Sequence, residues 1–278
     1  MQFGISTHIF HDRRLDRDHL AQIASYGFET IELFATRSHF DYRDESAIQQ
    51  LERWLADTGL TLHGVHAPIT DVFGGKSATT YSTAAGAHER REAAVKETEA
   101  ALRIAARIPF GVMVLHLGTP SSSHNADDNH RNAAIRSLEE ICQMADPLGV
   151  RVAAEVIPNR LSDTTSLTAL LENEIEGYSP GICLDFGHAH LMGDVADAIE
   201  TVAEHIITTH IHDNHGREDE HLVPYFGSID WGLALATMQK IGYEGTYLME
   251  LAGTGNPTAV LEEARRARQR FERALTHA

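Results

Sequence analysis

Residues 206–231 read IITTHIHDNHGREDEHLVPYFGSIDW. The β-branched run Ile206–Ile211 has the composition of a buried strand. His210 and His212 are two residues apart, so on a strand they project to the same face. Asp213, His215, Asp219 and His221 follow in a polar, Gly-containing loop, where Asp219 and His221 repeat that spacing. Imidazoles and carboxylates gathered at a strand's C-terminal end suit a divalent ion: zinc, or manganese where oxygen ligands dominate. A solvated polar loop would explain this stretch by itself. The rest of the chain separates the two explanations, because it repeats the pattern.

Outward from this stretch, short β-rich runs alternate with amphipathic ones. Strands are predicted at 3–7, 30–34, 62–66, 112–117, 150–156, 182–185, 206–211 and 247–251. Helices are predicted at 16–26, 45–58, 83–107, 127–148, 166–174, 195–205, 231–241 and 257–274, many of them closed by Gly or opened by Asp or Pro. Eight strand–helix units in 278 residues predict an α/β fold, a single (β/α)8 TIM barrel with its active site at the C-terminal ends of the strands. No G-x-G-x-x-G fingerprint follows any strand, which argues against a dinucleotide fold. No linker-like tract divides the chain, so residues 1–278 are expected to form one domain. Gly74, Gly75 and the segment 120–123 read as loops on the active face.

Bulk composition narrows the function classes. A hydrophobic content of 42% with 7% aromatics is that of a globular core. The formal charge of −17 argues against a nucleic-acid partner, since phosphate backbones draw on clustered Lys and Arg. The only lysines are Lys76, Lys96 and Lys240, none near a predicted strand end, which argues against a Schiff base. Two cysteines, Cys142 and Cys183, suggest neither a disulfide framework nor a thiolate zinc site. No signal-peptide pattern opens the chain and no run is long enough to span a membrane, so a cytoplasmic protein without a membrane partner is expected. The fold is compatible with a homo-oligomer.

In such a barrel the reacting groups come from several strand ends. Those ends supply His8, Glu32, His66, His116, Glu155, Asp185 with His188, His210 with His212, and Glu250. Glu155, Asp185 and Glu250 each follow two apolar residues; a charge placed there is half-buried, and buried charges persist only if paired or metal-bound. These patterns point to a metal site built from Glu155, Asp185, His210 and Glu250. His8, His63, His190 and His212 have no sequence partner and read as core or orienting histidines as readily as functional ones.

At these residues the chain resembles the xylose isomerase-like TIM barrels, the superfamily joining sugar isomerases and epimerases to the apurinic endonuclease IV enzymes. The resemblance spans nearly the whole chain. It rests on His66 in HAP, His116 in LHLG, Glu155 in AAEVIPN, Asp185 and His188 in LDFGHAH, His210 in HIHDN, Asp219 and His221 in DEH, and Glu250 in LMEL. Similarity to the ketose 3-epimerases implies one divalent ion on Glu155, Asp185, His210 and Glu250. It also implies acid/base roles for Glu155 and Glu250, and a sugar contact for His188. Similarity to endonuclease IV implies up to three zinc ions, with His66, His116, His188, Asp219 and His221 completing the ligands.

Neither branch matches throughout. The H-V-S-x-x-G-G segment of the endonucleases is replaced by FGISTHIF, and no basic, aromatic-interleaved loop is present to grip DNA. Val156 follows Glu155 where the epimerases often carry Asn, and Gly216 takes the place of their sugar-binding arginine, with Arg217 one residue later. The expected activity is therefore a metal-dependent sugar or polyol isomerase or epimerase, with one to three zinc or manganese ions per chain. His188, His8 and Arg217 are expected to touch a small-molecule sugar or polyol-derived substrate, while His212 or Asp213 orients a metal ligand. A keto-sugar or inosose dehydratase is a near variant. The rivals are a trinuclear zinc phosphoesterase and a barrel that binds a ligand without turning it over.

Overall fold

The computed structural model describes residues 2–72, 78–122, 125–253 and 255–276. Eight parallel strands close into a barrel in chain order: β1 (Gln2–Ser6), β2 (Thr30–Phe34), β3 (Thr61–His66), β4 (Val112–Leu115), β5 (Arg151–Glu155), β6 (Gly181–Asp185), β7 (Ile206–Ile211) and β8 (Thr246–Met249). Pairing of β1 with β8, at Phe3↔Tyr247 and Ile5↔Met249, completes the ring. Helices α1 (Arg17–Ser25), α2 (Glu45–Thr58), α3 (His88–Leu102), α4 (Arg131–Ala145), α5 (Thr164–Asn173), α6 (Phe186–Met192), α7 (Val195–Val202), α8 (Trp231–Lys240) and α9 (Pro257–Thr276) follow in chain order.

Local chemistry explains the helix ends. The Asp16 side chain accepts from His19 N and the Asp16 amide is capped in return by the His19 ring, which starts α1. Asp44 accepts from Ser46 N at 2.9 Å to start α2. That helix stops at Gly59, whose φ of 72° is the left-handed conformation glycine adopts without strain.

Outward strand residues such as Ile31, Leu33, Val65, Met113, Leu184 and Met249 pack on the helices in one continuous core. Inside the barrel sits a second, small cluster, Val112, Val114, Ala153 and Cys183. Polar side chains occupy the layers above it. This division positions the site, because the same alternation that points apolar residues outward points Glu155, Asp185 and His210 inward.

Several predicted boundaries differ. The helix expected at 83–107 runs only from His88 to Leu102, then tightens into a 3-10 turn over Arg103–Ala106. Its expected first turn is instead a loop, in which Thr83 Oγ1 donates to His116 O at 2.7 Å and Gly86 N to Asp127 O at 2.8 Å. The helix expected at 127–148 spans Arg131–Ala145, with 3-10 turns at Ala126–Asp128 and Asp146–Leu148; Pro147 ends the α-helical hydrogen bonding. Helix α6 was not predicted. It begins inside the metal motif, where Asp185 caps it by accepting from His188 N at 2.6 Å. Of the loops expected on the active face, Gly74, Gly75 and Ser123 lie outside the described residues, while Pro120 lines the cavity at the barrel mouth.

Candidate metal centre

Most strand ends deliver a polar side chain to a common pocket, while β2 presents Phe34 to it. Glu155 ends β5 and Asp185 ends β6, and the register sets Asp185 directly beside His210 of β7. Glu250 follows β8, its amide donating to Ile211 O at 3.1 Å. Glu155, Asp185 and His210 are fully buried, and Glu250 is 3% exposed. Their ligand atoms lie within 4.8 Å of one another.

Two further groups adjoin this one. His66 Nε2 and His116 Nε2 stand 3.2 and 3.0 Å from Glu155 Oε2, so Glu155 belongs to both clusters. His188, Asp219 and His221 meet across the mouth: Asp219 Oδ2 lies 3.1 Å from His188 Nε2 and 3.2 Å from His221 Nε2. His212 joins them, its ring stacked on His221 with centroids 4.0 Å apart. Its Nε2 contacts Asp185 at 3.0 Å.

The residues fit a divalent ion on a specific observation. Glu155 Oε1 and His210 Nδ1 are buried without a hydrogen-bond partner, and they face each other at 3.3 Å. Glu250 Oε2 is 3.6 Å from the same nitrogen. Buried polar atoms are rarely left unpaired, and a cation between a carboxylate oxygen and an imidazole nitrogen satisfies both.

The electrostatics of the clusters agree. Burial alone would raise the proton affinity of Glu155, yet the His116 and His210 charges hold its carboxyl well below the usual range. Burial would lower His210, but Cys183, Glu32, Glu250 and Glu155 lift it well above its ordinary value. His188 is lifted in the same way by Asp185 and Asp219, and His221, chiefly by Asp219 against burial, to about 9. An ion bound here competes with protons for the raised imidazoles of His188, His210 and His221, so its affinity falls as pH falls.

A cavity of about 630 Å³ opens over the clusters. Glu155, Glu250, His188 and His8 line it together with Phe34, Ile69, Tyr81 and Thr119. Asp185 and His210 lie behind that lining. Arg217, expected at the substrate, is exposed on the β7–α8 loop and does not line the cavity. No Lys or Arg lines it among the described residues.

A sequence profile described as "xylose isomerase-like TIM barrel" matches residues 20–271. The chain belongs to this family. Relatives of this xylose isomerase-like barrel include an uncharacterized protein of Methanocaldococcus jannaschii, 28% identical over 258 residues, or 90% of this chain and 83% of the relative. An inosose isomerase of Bacillus subtilis is 24% identical over 130 residues, 44% of this chain and 47% of that enzyme. A solved D-tagatose 3-epimerase-like protein shares the fold with a TM-score of 0.80 at 24% identity, over 99% of this chain and 98% of that one.

Within this xylose isomerase-like barrel some site-facing residues carry roles that the sequence reading did not assign. Glu32 accepts from His210 Nε2 at 3.0 Å. Its sequence signal was a carboxylate in the middle of the apolar run TIELF. His11 lines the cavity and stacks on His8 with centroids 4.4 Å apart, which nothing in its sequence context indicated. Asp213, expected to orient a metal ligand, does something else. Its carboxylate accepts from the amides of Asn214, Tyr225 and Ile229 and from Trp231 Nε1, tying together the loop that carries Asp219 and His221. His63 contacts Thr208 Oγ1 at 3.0 Å, and His190 contacts Ser228 Oγ at 2.8 Å; neither belongs to a ligand cluster among the described residues.

Proposed function

We propose that this chain, acting as one domain, is a divalent-metal-dependent isomerase or epimerase of a sugar or polyol-derived carbonyl compound. The observation that carries the reading is the buried Glu155–Asp185–His210–Glu250 cluster, two of whose members line a cavity with no Lys or Arg among the described residues. Glu155, Asp185, His210 and Glu250 would hold the ion, zinc or manganese, which when bound polarises a substrate oxygen and acidifies the adjacent C–H bond. Glu155 or Glu250 then takes the proton from carbon, and the other glutamate returns one. His188 and His8, both on the cavity wall, fix substrate hydroxyls, while Phe34, Ile69 and Tyr81 keep bulk water from the reacting carbon. Family membership and the inosose isomerase relative support this chemistry. Loss of water from the same deprotonated carbon makes a dehydratase a near variant.

A second reading, a trinuclear zinc phosphoesterase, is favoured by one observation: all nine ligands implied by the endonuclease resemblance fall into three adjoining clusters. Elemental analysis of the untreated purified protein separates the two. About one exchangeable ion per chain supports the isomerase, and about three tightly held zincs support the hydrolase. Turnover of a ketose and inosose panel in heavy water should place solvent deuterium on the carbon beside the carbonyl. Glu155→Gln and Glu250→Gln should each abolish that exchange. Near-wild-type exchange in either variant refutes the two-glutamate mechanism.

A further inference from the structure

Glu32 is a fully buried carboxylate on β2 with no Lys or Arg paired to it among the described residues. One oxygen, Oε2, lies 3.0 Å from His210 Nε2; the other, Oε1, has no hydrogen-bond partner. An apolar side chain would fill this layer of the barrel at less desolvation cost, as Val112, Val114 and Ala153 do in the small cluster inside it. The strand also departs from regular register at this point, with the shift falling between Ile31 and Glu32. A carboxylate kept in such a place has a partner that needs it.

That partner is one imidazole. A histidine that ligates through Nδ1 must carry its proton on Nε2, so whatever accepts from Nε2 fixes both tautomer and ring orientation. His210 Nδ1 faces Glu155 at 3.3 Å, Glu250 at 3.6 Å and Asp185 at 3.9 Å, and Nε2 faces Glu32. Three other candidate ligands hydrogen-bond a neutral acceptor through Nδ1, although His188 Nδ1 also lies 3.4 Å from Asp185 Oδ2 and from Glu155 Oε1. His66, His188 and His221 each place Nδ1 on a backbone carbonyl, of Ala67, Val156 and Glu250 respectively. His210 has an anionic acceptor instead, and a charge-assisted hydrogen bond is the stronger kind.

We propose that Glu32 is a positioning residue for the central ion: it holds His210 with the proton on Nε2 and Nδ1 open towards Glu155, Asp185 and Glu250. The proposal rests on the metal-centre reading above and extends it to a residue that touches neither ion nor substrate. By making His210 a more basic ligand, Glu32 tightens the hold of the central cluster on its ion.

The test is zinc affinity of the metal-free protein, read by competition with a chromophoric chelator, in wild type, E32Q, E32M, H210A and E32Q/H210A. Both Glu32 variants conserve volume, so either one can stand alone if the other fails to fold. The tightest dissociation constant should rise by roughly 10- to 100-fold in E32Q and E32M, the range for loss of a partner behind a metal ligand. In the H210A background, E32Q should add less than about twofold, because the imidazole it acts through is gone. Zinc binding by the single Glu32 variants within about twofold of wild type overturns the proposal and leaves the metal centre standing. An equal loss with and without His210 also overturns it, since that is the signature of general disruption. If wild type itself binds no zinc or manganese, the metal-centre reading and this proposal fall together.

Discussion

Asp213→Asn perturbs the side chain that accepts four hydrogen bonds within the segment leading from β7 to α8. The Asp213 carboxylate is fully buried and accepts four hydrogen bonds, two on each oxygen. Oδ1 takes Asn214 N at 2.9 Å and Ile229 N at 3.1 Å; Oδ2 takes Tyr225 N at 2.9 Å and Trp231 Nε1 at 2.8 Å. An asparagine keeps one acceptor oxygen and turns an NH2 group on the other pair, leaving two donors unsatisfied. Hydrogen bonds to a charged group contribute about 1.5–3 kcal/mol each, so the loss is about 3–6 kcal/mol of loop stability. Tyr225 sits at a φ of 77°, a conformation costly for a tyrosine, and the hydrogen bond its amide donates to Asp213 Oδ2 is part of what holds it there. At about 1.4 kcal/mol per decade, local opening becomes roughly two to four decades more frequent. Amide hydrogen exchange reads this directly, since Tyr225 N and Ile229 N are themselves the donors. Their exchange should accelerate by that amount while the amides of β3 and β4 stay protected. Protection within about threefold of wild type at both positions would show that the loop is held by something other than this carboxylate.

Other perturbations test other parts of the site. Asp219→Ala removes the bridge between His188 and His221, so a multinuclear protein should lose one ion per chain by elemental analysis and keep the rest; an unchanged ion count argues for a single central ion. Gly187→Ala would place a Cβ 2.0 Å from His212 Cε1, and the displaced ring should lower thermal stability by about 1–3 kcal/mol. A wild-type melting curve would show that His212 has room to move. His39 is buried, and burial first, then the nearby His11 and His19, push it down to about 4 from 6.5. The unfolded chain therefore binds the proton first: the stability is whole above pH 6.5 and is lost as pH falls towards 4, by about 3 kcal/mol. His39→Gln should flatten that part of the urea-midpoint profile; the same slope in variant and wild type would refute the assignment.

Much of the barrel was legible in the residues. Runs such as TIELF and IITTHI are too short and too β-branched for helices, and their regular return after each amphipathic segment allows little but a closed parallel ring. Rim residues were legible for a related reason. A carboxylate directly after two buried apolar residues, as at Glu155, Asp185 and Glu250, has nowhere to go but the barrel interior. The reading failed where a residue served two purposes. Asp185 looked like a ligand only, yet its carboxylate also starts α6, a helix of seven residues too short to show a period.

Local pattern, then, determined which side chains reach the C-terminal rim, because strand alternation and the strand–helix rhythm are properties of neighbours in the chain. Which of them meet was decided by closure of the barrel. Glu32 and His210 are 178 residues apart, and only the return of β8 to β1 brings the two halves of the ring around one interior. The same closure splits the rim histidines and carboxylates into three adjoining groups and turns Asp213 away from them into its own loop. Contact across the barrel depends on register, stagger and rotamer summed over eight strands, and no short window of sequence carries that sum.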